Sequence, residues 1–190
     1  MNYVLIAAAV ILVLIIGYAI GVYNKLTTLK NRIENQGAQV DVQLKRRADL
    51  IPNLLETTKG YAKYEKSTLE NIARLRGNVM NAKTAEEAYS ANNALGRELG
   101  RIIAVSENYP ELKANGNFTR LMQELSDTEE KIAKSRQFYN DVVTKYNTQI
   151  MLFPKSFFAG MFGFKKHSLL EAAAEERKSV KIDSSAFNFE

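Results

Sequence analysis

Residues 118–153 read FTRLMQELSDTEEKIAKSRQFYNDVVTKYNTQIMLF, and this stretch decides the fold class of the chain. Large apolar residues recur in it at intervals of seven, which is the spacing of one stripe along a continuous helix. The stripe consists of Phe118, Leu125, Ile132, Tyr139, Tyr146 and Phe153. Pro154 follows at once and predicts the end of the helix. The stretch therefore predicts a long helix that buries one face in a core.

The same helix carries two charged residues on a face where apolar residues are expected. Glu129 and Arg136 lie one heptad apart, on the stripe that Met122 and Val143 otherwise occupy. We expect each to meet a partner on a facing helix, because a buried ion pair often fixes register more than it adds stability. A polar pocket with a function of its own is the alternative. With its candidate partners from the first helix of the body, the polar cluster comprises Arg46, Arg47, Asp49, Glu129, Arg136, Tyr139 and Asn140.

Residues 3–22 read YVLIAAAVILVLIIGYAIGV and contain no charged or amide side chain. A helix of this length rises about 30 Å, which is the thickness of the hydrocarbon core of a bilayer. A cleaved signal peptide would have a basic segment before a shorter apolar run and a small-residue cleavage site after it. The run therefore predicts a single, uncleaved transmembrane helix that anchors the chain in the lipid bilayer.

Basic residues follow this apolar run, and none precedes it. Lys25, Lys30 and Arg32 lie within ten residues of its end. By the positive-inside rule, this asymmetry predicts an N-terminus outside and a helical body in the cytoplasm. Because long domains are translocated despite their charge, an extracytoplasmic body is the alternative.

The segment after the run keeps the helical period and contains few helix-breaking residues. Leu26, Ile33 and Val40 share one seven-residue register, so we expect the membrane span to continue directly into the first helix of the body. Pro52 removes a backbone donor, which predicts a kink rather than an end. The reversal is expected at residues 60–61.

Two further helices are predicted before the last one. The second is expected over residues 62–81, and the capping-box spacing of Thr84 and Glu87 predicts the start of the third. Residues 108–110 predict the end of that helix, and residues 113–117 predict a loop.

The predicted fold is therefore all-α. A single N-terminal transmembrane helix over residues 1–22 continues into an antiparallel up-down four-helix bundle of long helices over residues 23–154. Residues 155–190 form an amphipathic or flexible tail, of which the last twenty are a mobile segment or a peptide for a partner.

Several short motifs, taken in their order and spacing, resemble the LemA family over residues 20 to 165. The resemblance implies a membrane-anchored helical bundle in a bacterial inner or plasma membrane, with no established enzymatic activity. Relatives of that family are implicated in membrane organisation, including magnetosome membrane formation. The motifs are Tyr23-Asn24, Leu29-Lys30, QLKRRADLIPNL at 43–54, ENYPELK at 107–113, RQFYN at 136–140, and Tyr146-Asn147 followed by Ile150 and Phe153-Pro154.

The composition excludes several kinds of site. The chain has no Cys, which excludes thiolate metal sites, cysteine nucleophiles and disulfides. A carboxylate metal centre in a bundle needs two Glu-x-x-His units, whereas the only histidine is His167, outside the predicted bundle. The sequence has no GxxxxGK[ST] loop, no GxSxG elbow and no HExxH motif. We therefore expect no catalytic residue, no cofactor and no metal ion.

Positive charge is concentrated in the first half of the body, where residues 23–82 carry 11 basic and 6 acidic side chains. An anionic leaflet is the simplest partner for a basic helix beside a membrane. We expect no nucleic acid partner, because the charges are spread along the helices and no binding motif accompanies them.

The segment after the last helix combines five phenylalanines with lysines over residues 153–166. In an up-down bundle this segment returns to the membrane, where its rings could enter the interface. The alternative is that the rings fold back on the open end of the bundle. The candidate membrane-interface residues are Lys25, Lys30, Arg32, Phe157, Phe158, Phe162, Lys165 and Lys166.

These observations favour a non-enzymatic, single-pass membrane protein whose helical bundle is a scaffold or assembly module. We expect it to form a homo-oligomer or to hold another membrane protein. The alternative is a membrane-tethered sensor that binds a small ligand at the polar cluster.

Overall fold

The computed structural model describes residues 2–61 and 66–171, and these residues form helices and connecting segments without a strand. The predicted all-α fold class is confirmed. The second predicted helix was expected from residue 62, but residues 62–65 lie outside the described part, as do residues 172–190 of the predicted tail. The helices are α1 (Asn2–Lys59), α2 (Lys66–Asn81), α3 (Ala85–Ser106), α4 (Pro110–Lys113), α5 (Gly116–Met151) and α6 (Lys155–Met161).

Helix α1 runs without interruption from the apolar run into the body, and it passes through Pro52. The predicted continuity of the two parts is confirmed. Residues 2–18 are exposed, and the helix is long and apolar enough there to cross a membrane. The buried stripe of α1 begins with Val22 and Leu26, so the first part of this helix is exposed and the rest packs against other helices.

Helix α5 packs along α1 in the opposite direction. Gly37 of α1 faces Tyr139 of α5. Arg47, ten residues further along α1, contacts Glu129, which lies ten residues earlier than Tyr139 in α5. This pairing aligns the end of α5 with α1 near Lys25, just beyond the apolar run. The start of α5 lies at the opposite, distal end of α1.

Helices α2 and α3 form a hairpin that also packs on α1. Thr84 caps α3: its Oγ1 accepts from the Glu87 amide at 3.1 Å, and the Glu87 carboxylate accepts from the Lys83 amide at 2.9 Å. These reciprocal bonds satisfy amides that the first turn leaves without partners. The predicted capping box is confirmed.

The connection before α5 differs from the prediction. Pro110 begins the short helix α4, which was not predicted, because the fixed φ of proline suits a first helical position. Asn115 then caps α5 by accepting from the amides of Asn117 and Phe118 at 2.9 and 3.2 Å. The predicted loop is therefore reduced to residues 114–115.

The core lies between α1, α3 and α5, with α2 covering one side. Five of the six stripe residues of α5 are buried, as predicted. Phe153 is the exception, at 87% exposed, because α5 ends at Met151 and the chain turns away before the stripe reaches it.

Candidate functional site

A groove of about 580 Å³ separates α3 from α5 in the distal half of the body. Its walls are mostly apolar, with Leu99 and Ile103 on one side and Phe118 and Met122 on the other. Arg47 of α1 lies at its floor. The groove is therefore an open apolar surface with one deeply placed cation.

Two glycines of α3 keep the groove open. A Cβ atom added at Gly100 would meet nothing within 4 Å, and one added at Gly96 would meet only the Arg47 guanidinium, at 3.6 Å. Larger side chains at either position would project into the space between α3 and α5.

Arg47 is 6% exposed and holds three helices together. Its Nη1 donates to Asn92 Oδ1 of α3 at 3.0 Å and also contacts the Glu129 carboxylate of α5. Its Nε has no hydrogen-bond partner among the described residues. Burial lowers the pKa of Arg47 and the Glu129 charge raises it, so the carboxylate favours the charged form of the buried guanidinium.

Glu129 therefore meets one of its candidate partners, whereas Arg136 does not. Arg136 donates to the Tyr89 hydroxyl of α3, and its guanidinium carbon lies 5.7 Å from the centre of the Tyr89 ring. A cation over an aromatic face is favourable, so this contact joins α3 to α5 about two turns along α5 from Glu129, nearer the end of the body from which the apolar run extends.

The remaining members of the predicted cluster do not converge on one place. Arg46 and Asp49 are exposed on α1. Tyr139 is buried against Gly37, and burial raises the pKa of its phenol. Asn140 lies beside Leu170 instead.

Two asparagines of α5 hold the chain that follows α6. Asn140 and Asn147 each exchange two hydrogen bonds with the backbone of one residue, Leu170 and His167 respectively, at 2.8–3.0 Å. The His167 ring also packs edge-on against Tyr146, with ring centres 5.3 Å apart. The segment from residue 167 to residue 170 is thus held along α5.

Sequence reasoning missed Asn92 and Tyr89, which complete the polar contacts. A signal for Asn92 was available, because it interrupts the apolar stripe of α3 between Ala88 and Leu95 just as Glu129 interrupts the stripe of α5. Asn92 is 2% exposed. A polar residue on a buried stripe predicts a polar partner in the core.

The predicted interface residues lie at the end of α1 that carries the apolar run. Phe158 and Phe162 pack against Tyr18 and Tyr23, whereas Phe157 is exposed. All five basic residues of that prediction are exposed: Lys25, Lys30, Arg32, Lys165 and Lys166.

The groove offers little catalytic chemistry. Its ionisable side chains are Arg47 and Glu129, which contact each other, and the rim pair Glu107 and Lys113, joined at 2.6 Å. Within residues 2–61 and 66–171, no group of histidine and carboxylate side chains could hold a metal ion. The arrangement is better suited to holding an apolar surface than to moving protons.

Comparison with known proteins gives consistent matches. The sequence profile of the LemA family matches residues 36–183. Magnetosome protein MamQ 2 of Paramagnetospirillum magneticum is 25% identical over 173 residues, which cover 76% of this chain and 62% of that protein. MamQ of Magnetospirillum gryphiswaldense is 25% identical over 170 residues with the same coverage. Protein LemA of Metamycoplasma hominis is 25% identical over 167 residues, covering 87% of this chain and 75% of that protein. The chain thus spans less than two thirds of the length of its MamQ relatives.

Proposed function

The chain belongs to the LemA family, and from that premise we propose that it is a non-enzymatic, single-pass membrane protein whose helical body is an assembly module. The observation that carries this proposal is the continuity of α1 from Asn2 to Lys59. One rod forms both the membrane-spanning segment and the backbone of the body. A rigid link of this kind holds the body at a fixed height and rotation above the bilayer.

In this proposal α1, α2, α3 and α5 form an antiparallel up-down bundle. The direction of α5 against α1 supports it, and the bond from Arg76 to the Ala48 carbonyl shows that α2 packs on α1. The wide gap between α3 and α5 leaves this bundle incompletely closed. Its apolar walls are the surface that we assign to a partner.

The partner that we propose is a helix of a second copy or of another membrane protein. An amphipathic helix inserts its apolar face into a groove of this kind through residues spaced three and four apart. The groove lies between α3 and α5, and α5 is antiparallel to α1, so a partner anchored in the same membrane could lie alongside α1. The host membrane in this proposal is the bacterial inner or plasma membrane.

The test uses Gly100→Leu in the full-length protein, with Gly77→Leu as the matched control. A Cβ at either glycine meets nothing within 4 Å, but Gly77 lies on α2, away from the groove. Leucine also favours helix more than glycine does, so neither change should unfold the chain.

If the partner is a second copy, we expect light scattering in mild detergent to show that the wild-type protein and Gly77→Leu are oligomers. If it is another membrane protein, a photoreactive residue at position Ile103 should crosslink both proteins to it. Gly100→Leu should lose the oligomer or the adduct. Unchanged assembly of Gly100→Leu would exclude the groove as the docking surface. A monomer that forms no adduct would contradict the assembly role itself.

A second candidate function is a membrane-tethered ligand sensor. It is favoured by the volume of the groove and by Arg47 at its floor, whose Nε has no partner in the part of the chain that the structure describes. Such a site suits an amphiphile with an apolar body and an anionic group. In that case the wild-type protein should bind a fatty-acid probe in isothermal titration and Gly100→Leu should not, whereas the oligomeric state of the two proteins should be the same.

A further inference from the structure

Helix α6 lies beside the last turns of the apolar run of α1. The Phe158 ring is 5.7 Å from the Tyr18 ring, and the Phe162 ring is 5.2 Å from the Tyr23 ring, centre to centre. Ala159, between them on the same face, is buried. One face of α6 is thus fixed against α1 at the level where the apolar run ends.

Other large apolar side chains at α6 are exposed. Phe157 and Met161, one turn apart in the helix, are 69% and 59% exposed, and Phe153, two residues before the helix begins, is 87% exposed. We call these three residues the aromatic shelf. Exposed large side chains grouped in this way usually mark a surface that something apolar covers.

The charges around the shelf are of one sign. Because α5 is antiparallel to α1, residues 2–33 and 142–170 lie at the same end of the molecule, and neither range contains a carboxylate side chain. The nearest acidic residues along the chain are Glu34, Asp141 and Glu171. The basic residues in the two ranges are Lys25, Lys30, Arg32, Lys145, Lys155, Lys165 and Lys166.

We propose that the aromatic shelf enters the headgroup interface of the bilayer that α1 spans, and that the surrounding basic residues bind anionic phospholipid headgroups. The chain then has two attachments to one leaflet, the span and the shelf. Aromatic rings prefer this zone of the bilayer, and Tyr18 and Tyr23 mark the same level on α1. Basic side chains beside this zone are attracted to an anionic lipid surface.

This inference rests on the proposed function, because it requires that α1 spans the membrane. Contacts with α1 and α5 hold the shelf and the segment after it in place. Asn147 fixes His167 by two hydrogen bonds, which keeps Lys165 and Lys166 near the membrane end of α5. Together with the ring contacts of Phe158 and Phe162 on α1, these bonds place the shelf and the two lysines at the same end of the molecule.

The test uses tryptophan as a depth probe, since the chain contains no Trp. Three single variants of the full-length protein are placed in vesicles of phosphatidylcholine and phosphatidylglycerol that contain brominated lipids. Phe157→Trp reports the shelf, and Leu12→Trp reports the middle of the span. Phe138→Trp is the matched control, because Phe138 is an exposed phenylalanine of α5 well away from the apolar run.

We expect the emission of Phe157→Trp to shift to the blue and to be quenched most by lipids brominated near the headgroup. Leu12→Trp should be quenched by lipids brominated deep in the chains, and Phe138→Trp by neither. In vesicles of phosphatidylcholine alone, quenching of Phe157→Trp should weaken. Equal quenching there would overturn the role assigned to the basic residues.

Other outcomes separate this inference from the proposed function. If Leu12→Trp is quenched and Phe157→Trp behaves like Phe138→Trp, the shelf is not in the interface and the inference fails alone. A blue shift of Phe157→Trp without bromine quenching means that protein covers the shelf, which also overturns it. If Leu12→Trp is not quenched, the membrane-spanning part of the proposed function fails as well.

Discussion

Arg47 is the one charged side chain that is buried in the core of the described residues. A buried charge is costly unless a counter-charge and hydrogen bonds compensate it. Glu129 and Asn92 provide both, from two different helices. Because a shift of either helix by one turn would break these contacts, Arg47 fixes the register of α1 against α3 and α5.

The ion pair can be tested by removing only its negative charge. Glu129→Gln keeps the size of the side chain but leaves the Arg47 guanidinium without a carboxylate. We expect the free energy of unfolding to fall by about 1–3 kcal/mol, less than for a fully enclosed pair because the groove admits water. Urea denaturation of the full-length protein in detergent, followed by circular dichroism, measures it.

Glu130→Gln is the control for this prediction. Glu130 is the next residue and is exposed, and among the described residues its ion pair is with Lys134 on its own helix, so its loss should cost less than about 0.5 kcal/mol. Equal effects of the two changes would mean that the Arg47 pair contributes no more than a surface contact.

The polar core was partly predictable from single residues. Glu129 and Arg136 were identified because charges interrupt an apolar stripe, and Arg47 was among the candidate partners. The partner of Arg136 was not predictable in this way. In the sequence pattern Tyr89 is an ordinary core residue, and only the packing of α3 against α5 brings its hydroxyl to Arg136. The pattern shows that a partner is needed, whereas the relative rotation of two helices decides which one.

At the scale of the helices, Pro52 links α1 to α2. Proline has no backbone N–H, so the carbonyl of Ala48, four residues earlier, loses its partner within the helix. Ala48 is fully buried, and its carbonyl accepts from Arg76 Nε of α2 at 2.9 Å instead. The proline therefore supplies an acceptor that docks the next helix.

This coupling predicts a non-additive double-mutant cycle. Arg76→Met should lower the free energy of unfolding by about 1–2 kcal/mol, because the buried Ala48 carbonyl is left unpaired. In the Pro52→Ala background the new amide satisfies that carbonyl, so the same change at Arg76 should cost almost nothing. Thermal and urea denaturation of the four proteins give the coupling energy.

Arg74→Met is the control, because Arg74 is an exposed residue of the same helix. It should have little effect in either background. Additive effects of Pro52→Ala and Arg76→Met would show that the Arg76 bond does not depend on the proline.

Helix boundaries were predictable where a side chain caps or stops a helix. The Thr84 box and the end of α5 before Pro154 were placed in this way. Pro110 was interpreted only as the end of a helix. Proline also suits the first position of a helix, and Pro110 begins α4 in this way. Helix α6 was not predicted, because its seven residues are too few to show a helical period. Contacts with Tyr18 and Tyr23 of α1 stabilise this short helix.

At the scale of the whole molecule, the antiparallel pairing of α1 and α5 collects positive charge at the membrane end. Sequence alone placed Lys25, Lys30 and Arg32 next to the span, but Lys165 and Lys166 join them only through the fold. The positive-inside rule counts basic residues within about 15–20 residues of the span along the sequence, so the expectation of a cytoplasmic body rests on Lys25, Lys30 and Arg32 and not on Lys165 and Lys166.

Orientation can be measured with single cysteines, since the chain has none of its own. Ser90→Cys places a thiol at an exposed position of α3, and Asn2→Cys places one before the apolar run. With a body in the cytoplasm, a membrane-impermeant maleimide added to intact cells should label Asn2→Cys only, and Ser90→Cys should react after lysis. Labelling of Ser90→Cys in intact cells would place the body outside. In that case the basic end of the molecule would face the outer leaflet, and the positive-inside argument would be wrong for this chain.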